Sequence, residues 1–361
     1  MDKDIDFIKE TFKLAKKAQG KTSPNPMVGA LIVQNNEIIA KGYHKKCGFA
    51  HAEIKAIKRA KKKTFNKATL YLNLEPCFSF GRTPPCVDEI IKRKFKQVVI
   101  AVKDPNLQTQ GKSIQKLKRA GIRVKVGLLS KEAKKLNEVF FKNMQSNLPF
   151  VVVKTAQSLD GKIATRDGKS KWITAEPARK FSKLLRDRYD CILVGINTVI
   201  KDNPSLDGAK KKLTKVIIDP NLKIPLNSKL LKRDPAKVVI FTIHESRKKA
   251  KKLPPATKVF FLKKSNGWLS LKKILKTLYK LGLMSVFIEG GSQTLGRFFD
   301  ERLVDKAYFF IAPKIIGGRG ALTAIGAYGI SELKSAPYLE NIQFKQIGKD
   351  MLISGYPTYR E

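Results

Sequence analysis

At 361 residues the chain is more than twice the roughly 150 residues of a typical domain, which predicts two domains, each large enough for its own core. Lysine and arginine number 73 against 30 acidic residues, a formal charge of +43, but with 42% of residues hydrophobic this is no disordered basic tail. Four cysteines in such a length do not make a disulfide scaffold, and no run approaches the roughly 18 apolar residues of a membrane span.

Helical and extended patterns alternate along the chain. A helix over 4–19 precedes VGALIVQ, an Asn35-Asn36 turn and EIIAKGY, which read as a β-hairpin. A helix from about Ala50, strand ATLYLNL, a helix from about Pro85, strand QVVIAV, helix SIQKLKRAG and strand IRVKVG follow, the pattern of an α/β layered domain. A last amphipathic helix over 131–144 runs into Asn147-Leu148-Pro149, where a proline in a polar cluster predicts the boundary between domains 1–147 and 148–361. The second domain opens on strand FVVVKTA and continues with a helix over 177–189 and strands CILVG, KVIIDP and VVIFT. A helix over 269–281, strand SVFIEGG, a helix over 292–303 and strand AYFFIAP complete a second α/β sheet.

The densest chemistry lies in His51-Ala52-Glu53, Glu75-Pro76-Cys77 and Pro84-Pro85-Cys86. An H-x-E segment followed by a P-C…C pair is the signature of zinc-dependent base deaminases, in which one His and two Cys hold the metal and the Glu is not a ligand. Three protein ligands leave a fourth position for water, whose pKa the metal lowers toward neutrality. Glu53, two residues after the ligand, can take the water's proton, hand it to a ring nitrogen and later protonate the departing amine. His51 and Cys86 both fall at expected helix starts, whose partial positive charge favours a thiolate. Two other readings compete: plain core residues, or a closed structural site with Cys47 as a fourth ligand. Cys191, inside the apolar run CILVG, reads as buried core.

Eight residues separate Cys77 from Cys86 where the general deaminase signature has two. The longer spacing comes with GRTPPC, with TSPNPMVGALIV upstream and with DPN…AGIRV downstream. These segments resemble the deaminase domain of the bifunctional riboflavin-biosynthesis deaminase/reductase family of the RibD type. The resemblance implies a cytidine-deaminase-like three-layer domain and a pyrimidine substrate carrying a phosphoribosyl group. It also implies contacts to base and ribose phosphate from Asn25, His44 and Arg82, and an arginine suits bidentate phosphate contact. Phe78-Ser79-Phe80 departs from the family, which carries a polar Ser-His stretch after the first zinc cysteine.

In the second half, KTAQSLDGKIA over 154–164, Ser170-Lys171-Trp172-Ile173-Thr174, the stretch from Gly195 to Leu206 and Glu289-Gly290-Gly291 are similar to the same family's reductase domain. The resemblance thus covers nearly the whole chain. It implies a dihydrofolate-reductase-like fold with NADPH across the strand ends, contacted by Ala156, Trp172, Thr198, Asp202, Ser228 and the turn that begins at Gly291. Substrate contacts would be Ser170, Arg186, Leu206 and Glu289, with Lys154 and Glu289 as the catalytic groups. No G-x-G-x-x-G follows a strand, so no Rossmann site is read; the paired glycines after SVFIE would let a phosphate approach the backbone. Where the family carries an arginine three residues after this leucine the chain has Ala209, and Lys210, Lys211 or Lys212 would substitute.

The implied activities are zinc-dependent removal of the 2-amino group of 2,5-diamino-6-(5-phosphoribosylamino)pyrimidin-4(3H)-one and NADPH-dependent reduction of the ribosyl chain of 5-amino-6-(5-phosphoribosylamino)uracil to ribityl. The alternative is a nucleic-acid base deaminase with a basic RNA-binding second domain. The charge favours it, but the excess is spread evenly over both halves, as in a solvated lysine coat, and the long cysteine spacing opposes it. Expected partners are therefore phosphorylated pyrimidines, not a membrane or nucleic acid, with homo-oligomerisation left open. The start MDKDIDFIKE has no apolar stretch of signal-peptide type and reads as cytoplasmic.

Overall fold

The computed structural model describes residues 2–79, 84–107, 109–265 and 267–359. The chain folds as two compact units, Met1–Asn147 and Leu148–Glu361.

The first unit runs α1 (Asp2–Lys16), β1 (Gly29–Gln34), β2 (Glu37–Tyr43), α2 (Ala52–Ala60), β3 (Ala68–Leu72) and α3 (Cys86–Lys92). It continues with β4 (Gln97–Ile100), α4 (Lys112–Arg119), β5 (Arg123–Val126), α5 (Ser130–Leu136) and α6 (Glu138–Ser146). The sheet order is β2-β1-β3-β4-β5, with β1 antiparallel to both neighbours and the remaining pairs parallel. Asn35 and Asn36 both take positive φ, the conformation a two-residue hairpin turn asks for and asparagine tolerates. Strand residues alternate between two cores, because successive side chains point to opposite faces. Ala30, Ile32, Leu70 and Leu72 pack with Ala56 and Ile57 of α2 and Ile90 of α3, whereas Leu31, Val33 and Tyr71 pack with Ile8 and Phe12 of α1 and Ala133 of α5. The result is three layers, helices on both sides of one sheet.

The helix expected over 131–144 is instead two helices that meet at Asn137. The buried side chain of Asn137 accepts from the Met27 N–H at 2.8 Å and donates to the Met27 carbonyl at 3.0 Å. That pair of bonds to a distant segment fixes Asn137 at φ −110°, ψ 29°, outside the helical region. Gly42 matters for the site: a Cβ there would collide with the Ala52 carbonyl, so the glycine lets the first turn of α2 lie directly on β2.

The second unit contains β6 (Phe150–Ser158), α7 (Glu176–Arg186), β7 (Cys191–Gly195), α8 (Ile196–Asp202), β8 (Thr214–Ile218) and α9 (Lys229–Arg233). Next come β9 (Val238–Ile243), α10 (Arg247–Ala250), β10 (Lys258–Leu262), the short pair β11 (Lys264–Ser265) and β12 (Trp268–Leu269), and α11 (Leu271–Lys280). It closes with β13 (Ser285–Glu289), α12 (Ser292–Asp300), β14 (Lys306–Ala312), β15 (Tyr338–Ile347) and β16 (Asp350–Thr358). The main sheet has the order β10-β9-β8-β7-β13-β6-β14-β16-β15. Strands β10 to β14 of that order are parallel, and the β15–β16 hairpin is added antiparallel. The parallel strands are apolar runs such as CILVG and SVFIE, buried on both faces; Cys191 lies fully buried among them.

From β6 the chain steps over one position to β7, and β13 later fills the gap. Strand order reverses there, which in open α/β sheets creates a crevice outside the carboxyl ends of the strands. Those ends are Ser158, Gly195, Ile218 and Glu289. The sequence pattern did not anticipate α8, α9, β10 or the β15–β16 hairpin.

Candidate active sites

In the first unit, the sequence segments that carry His51, Cys77 and Cys86 are far apart in the chain and adjacent in space. His51 precedes the first turn of α2 in an extended conformation, and its ring makes no capping bond to its own helix. Cys86 opens α3 directly after Pro84-Pro85, and its N–H donates to the Cys77 sulfur at 3.2 Å. His51 Nδ1 lies 3.2 Å from Cys86 Sγ and 3.5 Å from Cys77 Sγ, and the three ligand atoms all fall within 4.8 Å of one another. Tetrahedral zinc, with bonds of about 2.3 Å to sulfur and about 2.0 Å to nitrogen, spaces its ligands roughly 3.5 Å apart, so the donor set fits that ion. Among the described residues no fourth ligand joins it: Cys47 stands outside this group, which speaks against the closed four-ligand reading.

The electrostatics match the donor set. The Cys77 thiol is held down to about 4, chiefly by the hydrogen bond from the Cys86 thiol and then by His51, while Cys86 as the donor to that sulfur is pushed up. Glu53 sits on the first turn of α2, 3% exposed, with Oε2 lacking any partner. Burial pushes its carboxyl up to about 7, and the charge on Cys77 adds to the effect. His44 is also buried, which lowers its pKa and favours the neutral ring; its Nε2 is 3.1 Å from Asn25 Nδ2, and its ring packs edge-on against His51 at 5.2 Å. Asn25 and His44 therefore stand beside the metal ligands. Arg82 and Phe80 lie outside the described residues. Phe78, the departure from the family, lies under the ammonium groups of Lys112 and Lys116 at 6.0 and 5.6 Å.

In the second unit, a cavity of about 1010 Å³ opens at the carboxyl ends of β6, β7, β8 and β13, at the upper end of the range for small-molecule sites. Lys154, Ala156, Ser170, Trp172, Arg186 and Thr198 line it, as do Asp202, Leu206, Glu289 and Gly291. At its base Arg186 clamps Glu289 through two bonds of 2.7 Å. Lys154 Nζ approaches the same carboxylate at 3.8 Å, and Ser182 Oγ donates to it at 3.3 Å. Burial alone would raise the Glu289 pKa, but Arg186 and Lys154 outweigh it and hold the carboxyl down to about 2. Burial lowers the pKa of Lys154, against the opposing pull of Glu289. Gly290 sits where a Cβ would come within 3.8 Å of Gly195 and Thr198 backbone and side-chain atoms, so bare backbone faces the start of α8.

Not every expected contact residue is in the cavity's lining. Ser228 is outside it, although Lys229 and Arg233 of the same segment belong to it; its side chain is buried with Oγ unpartnered. Lys210, Lys211 and Lys212 also stand away from the lining. Their backbone folds over Asp187, which accepts from the Lys210 and Lys211 N–H groups, and Lys211 Nζ donates to the Tyr189 carbonyl at 2.7 Å. The cavity's nearer cations on that side are Arg179, Lys180 and Lys183 of α7, with Arg179 stacked on Trp172 at 4.4 Å. Their signal in the sequence was the basic, amphipathic helix itself, which does not say which of its lysines faces a ligand.

Residues 149–353 match the RibD C-terminal domain, and residues 1–102 match the cytidine and deoxycytidylate deaminase zinc-binding region. The riboflavin biosynthesis protein RibD of Aquifex aeolicus is 42% identical over 97% of each chain, and that of Escherichia coli is 32% identical over 96% of this chain and 97% of its own. The chain belongs to the RibD family. Among solved structures, Acinetobacter baumannii RibD superposes with a TM-score of 0.89 at 32% identity over 99% of both chains. A Thermotoga maritima protein described as a diaminohydroxyphosphoribosylaminopyrimidine deaminase/5-amino-6-(5-phosphoribosylamino)uracil reductase does so at 0.86 and 35%, again over 99% of both. The two units therefore have the cytidine-deaminase-like and dihydrofolate-reductase-like folds of the family, and the protein is a bifunctional enzyme of riboflavin biosynthesis. The match of the second unit to the family's own domain displaces the reading of it as an RNA-binding module. No helix among the described residues is long and apolar enough to cross a membrane.

Proposed function

We propose that the first unit deaminates 2,5-diamino-6-(5-phosphoribosylamino)pyrimidin-4(3H)-one and that the second reduces the ribosyl chain of the uracil product to ribityl, both in the cytoplasm. The observation that carries the first assignment is the buried Glu53 carboxyl, with Oε2 left without a partner, beside three converging metal donors. His51, Cys77 and Cys86 hold zinc, which when bound acidifies the attacking water. Glu53 accepts the water's proton at Oε2 and delivers it to the ring nitrogen, then takes the proton of the hydroxyl newly formed on the ring carbon and passes it to the leaving amine. Asn25 and the neutral His44 orient the pyrimidine, and Arg82 takes the phosphate.

In the second unit NADPH supplies the hydride. Ala156, Trp172, Thr198, Asp202 and Gly291 shape its berth at the strand ends, while Ser170, Arg186, Leu206 and Glu289 position the substrate. Lys154, held beside Glu289, serves as the cation at the reacting sugar, where it stabilises the oxygen freed as the ribose ring opens. The test is a coupled assay on the full chain. Zinc-loaded enzyme given the diamino substrate releases ammonia, and NADPH is consumed only afterwards. Enzyme with one zinc per chain that releases no ammonia would refute the deaminase assignment. Failure to oxidise NADPH when supplied with the deaminated compound would refute the second.

A further inference from the structure

Resting on the reductase reading of the second unit, we propose that Lys229 and Arg233 of α9 hold the 2′-phosphate of NADPH and so set the preference for NADPH over NADH. Most of the cavity's other cations are already committed. Lys154 and Arg186 both face Glu289, Lys171 pairs with Asp202 at 3.9 Å, and Arg179 is stacked on Trp172. Lys180 pairs with Glu176 at 2.8 Å and Arg297 with Glu301 at 2.7 Å.

Lys229 and Arg233 are different. They line the same cavity four residues apart on one helix, hence on one face, and neither has an ion-pair partner among the described residues. Two cations without counter-charge on one wall suit a dianion, and a guanidinium meets a phosphate through two parallel N–H···O bonds.

The helix that carries them is held in place. Asp219, just past the end of β8, accepts from the Lys223 and Ile224 N–H groups at 2.9 and 2.8 Å, which shapes the turn leading to α9. Asn203 Oδ1, following α8, accepts from the Lys229 N–H at 2.8 Å. With that N–H occupied, an anion is met by side chains and not by the helix terminus. Ser228 Oγ, in a residue 2% exposed, is left without a partner immediately before Lys229, a polar atom that a neighbouring ligand oxygen would satisfy. Strand β8 stands two positions from β13 in the sheet, roughly 10 Å away, so the phosphate would sit well clear of the Glu289 cluster where hydride transfer is placed.

The test is calorimetric titration of the full chain with NADPH and with NADH, separately. Wild type should bind NADPH the more tightly. Lys229→Gln/Arg233→Gln should weaken NADPH binding by about 100-fold, the scale of two charge-assisted contacts, and change NADH binding by less than about threefold. Lys232→Gln removes the same charge from the same helix at a residue outside the lining and should leave both affinities unchanged. Lys229 and Arg233 are exposed, so the double variant should melt as wild type does. The proposal is overturned if the double variant keeps the wild-type preference, or if Lys232→Gln erodes it equally, which would indicate a diffuse field. A wild-type chain that binds neither dinucleotide would remove the reductase reading as well, whereas selective binding that survives in the double variant removes only the assignment to α9.

Discussion

Glu53 and Glu289 are largely buried glutamates, one in each unit, and their surroundings drive them apart. Burial with one oxygen unpartnered takes Glu53 up to about 7; at Glu289 the same burial is outweighed by Arg186 and Lys154, and the carboxyl stays near 2. A carboxyl poised near neutrality can gain and lose a proton during turnover, while one clamped by a guanidinium remains an anion throughout and serves to aim its partners. On the proposed function, the same side chain is a proton carrier in one unit and a fixed charge in the other.

The widest separation between the two should come from Glu53→Gln. The amide preserves shape and leaves all three metal donors, but cannot carry a proton, so ammonia release should fall by about 10³-fold or more, with zinc content and NADPH oxidation unchanged. Cys77→Ser should instead lose the metal. Measuring ammonia and zinc on the same samples separates the two outcomes, and near-wild-type turnover in Glu53→Gln would end the shuttle role.

At the other carboxylate the large effect should be on folding. Arg186→Met leaves Glu289 with Lys154 at 3.8 Å as its remaining cation, and removing one partner of a buried pair costs about 3–5 kcal/mol. Arg186→Met/Glu289→Leu should recover most of it, as seen by denaturant unfolding, while both variants lose reductase activity. A single variant as stable as wild type would mean that Glu289 is solvated.

A smaller effect concerns pH. The Glu289 pKa is depressed from an ordinary 4.5 to about 2, so its contribution, roughly 3 kcal/mol, is fully present above the ordinary value and is lost as pH falls toward 2. Unfolding free energies measured between pH 5 and about 2.5 should therefore decline more steeply for wild type than for Arg186→Met/Glu289→Leu. Parallel curves would show that other carboxylates govern the acid limb.

The units also differ in how much of each was legible beforehand. Inner-sphere metal chemistry demands specified donors, so His51, Cys77 and Cys86 stand out in the sequence and meet in space. The reductase cavity is assembled from shape and diffuse charge, and much of its lining comes from pieces too short to carry a period: α8 has seven residues and α9 five. The hairpin β15–β16 went unrecognised because β15 is exposed along almost its whole length, leaving no buried alternation to read. The break at Asn137 is set by Met27, more than a hundred residues away, and no local window contains both.

The smallest expected effect sharpens the distinction between a charged coat and a charged lining. Lys210 and Lys212 follow Ala209, the position of the family's arginine, but stand outside the cavity's lining, and charges on the surface are screened over about 8 Å at physiological salt. Lys183 lines the cavity one turn before Arg186 on α7, and its carbonyl receives the Ala209 N–H at 3.2 Å, so it occupies the side of the site on which that arginine is missing. Lys210→Ala/Lys212→Ala should shift the KM of the reductase step for its phosphorylated substrate by less than about twofold. Lys183→Gln should raise it by about tenfold, the scale of one charge-assisted contact, with kcat little altered, because a contact to the phosphate is made equally in the ground and transition states. Steady-state kinetics at two salt concentrations decide it: if the two-lysine variant shows the larger rise, the 207–212 loop reaches the substrate in the working enzyme and the phosphate belongs there.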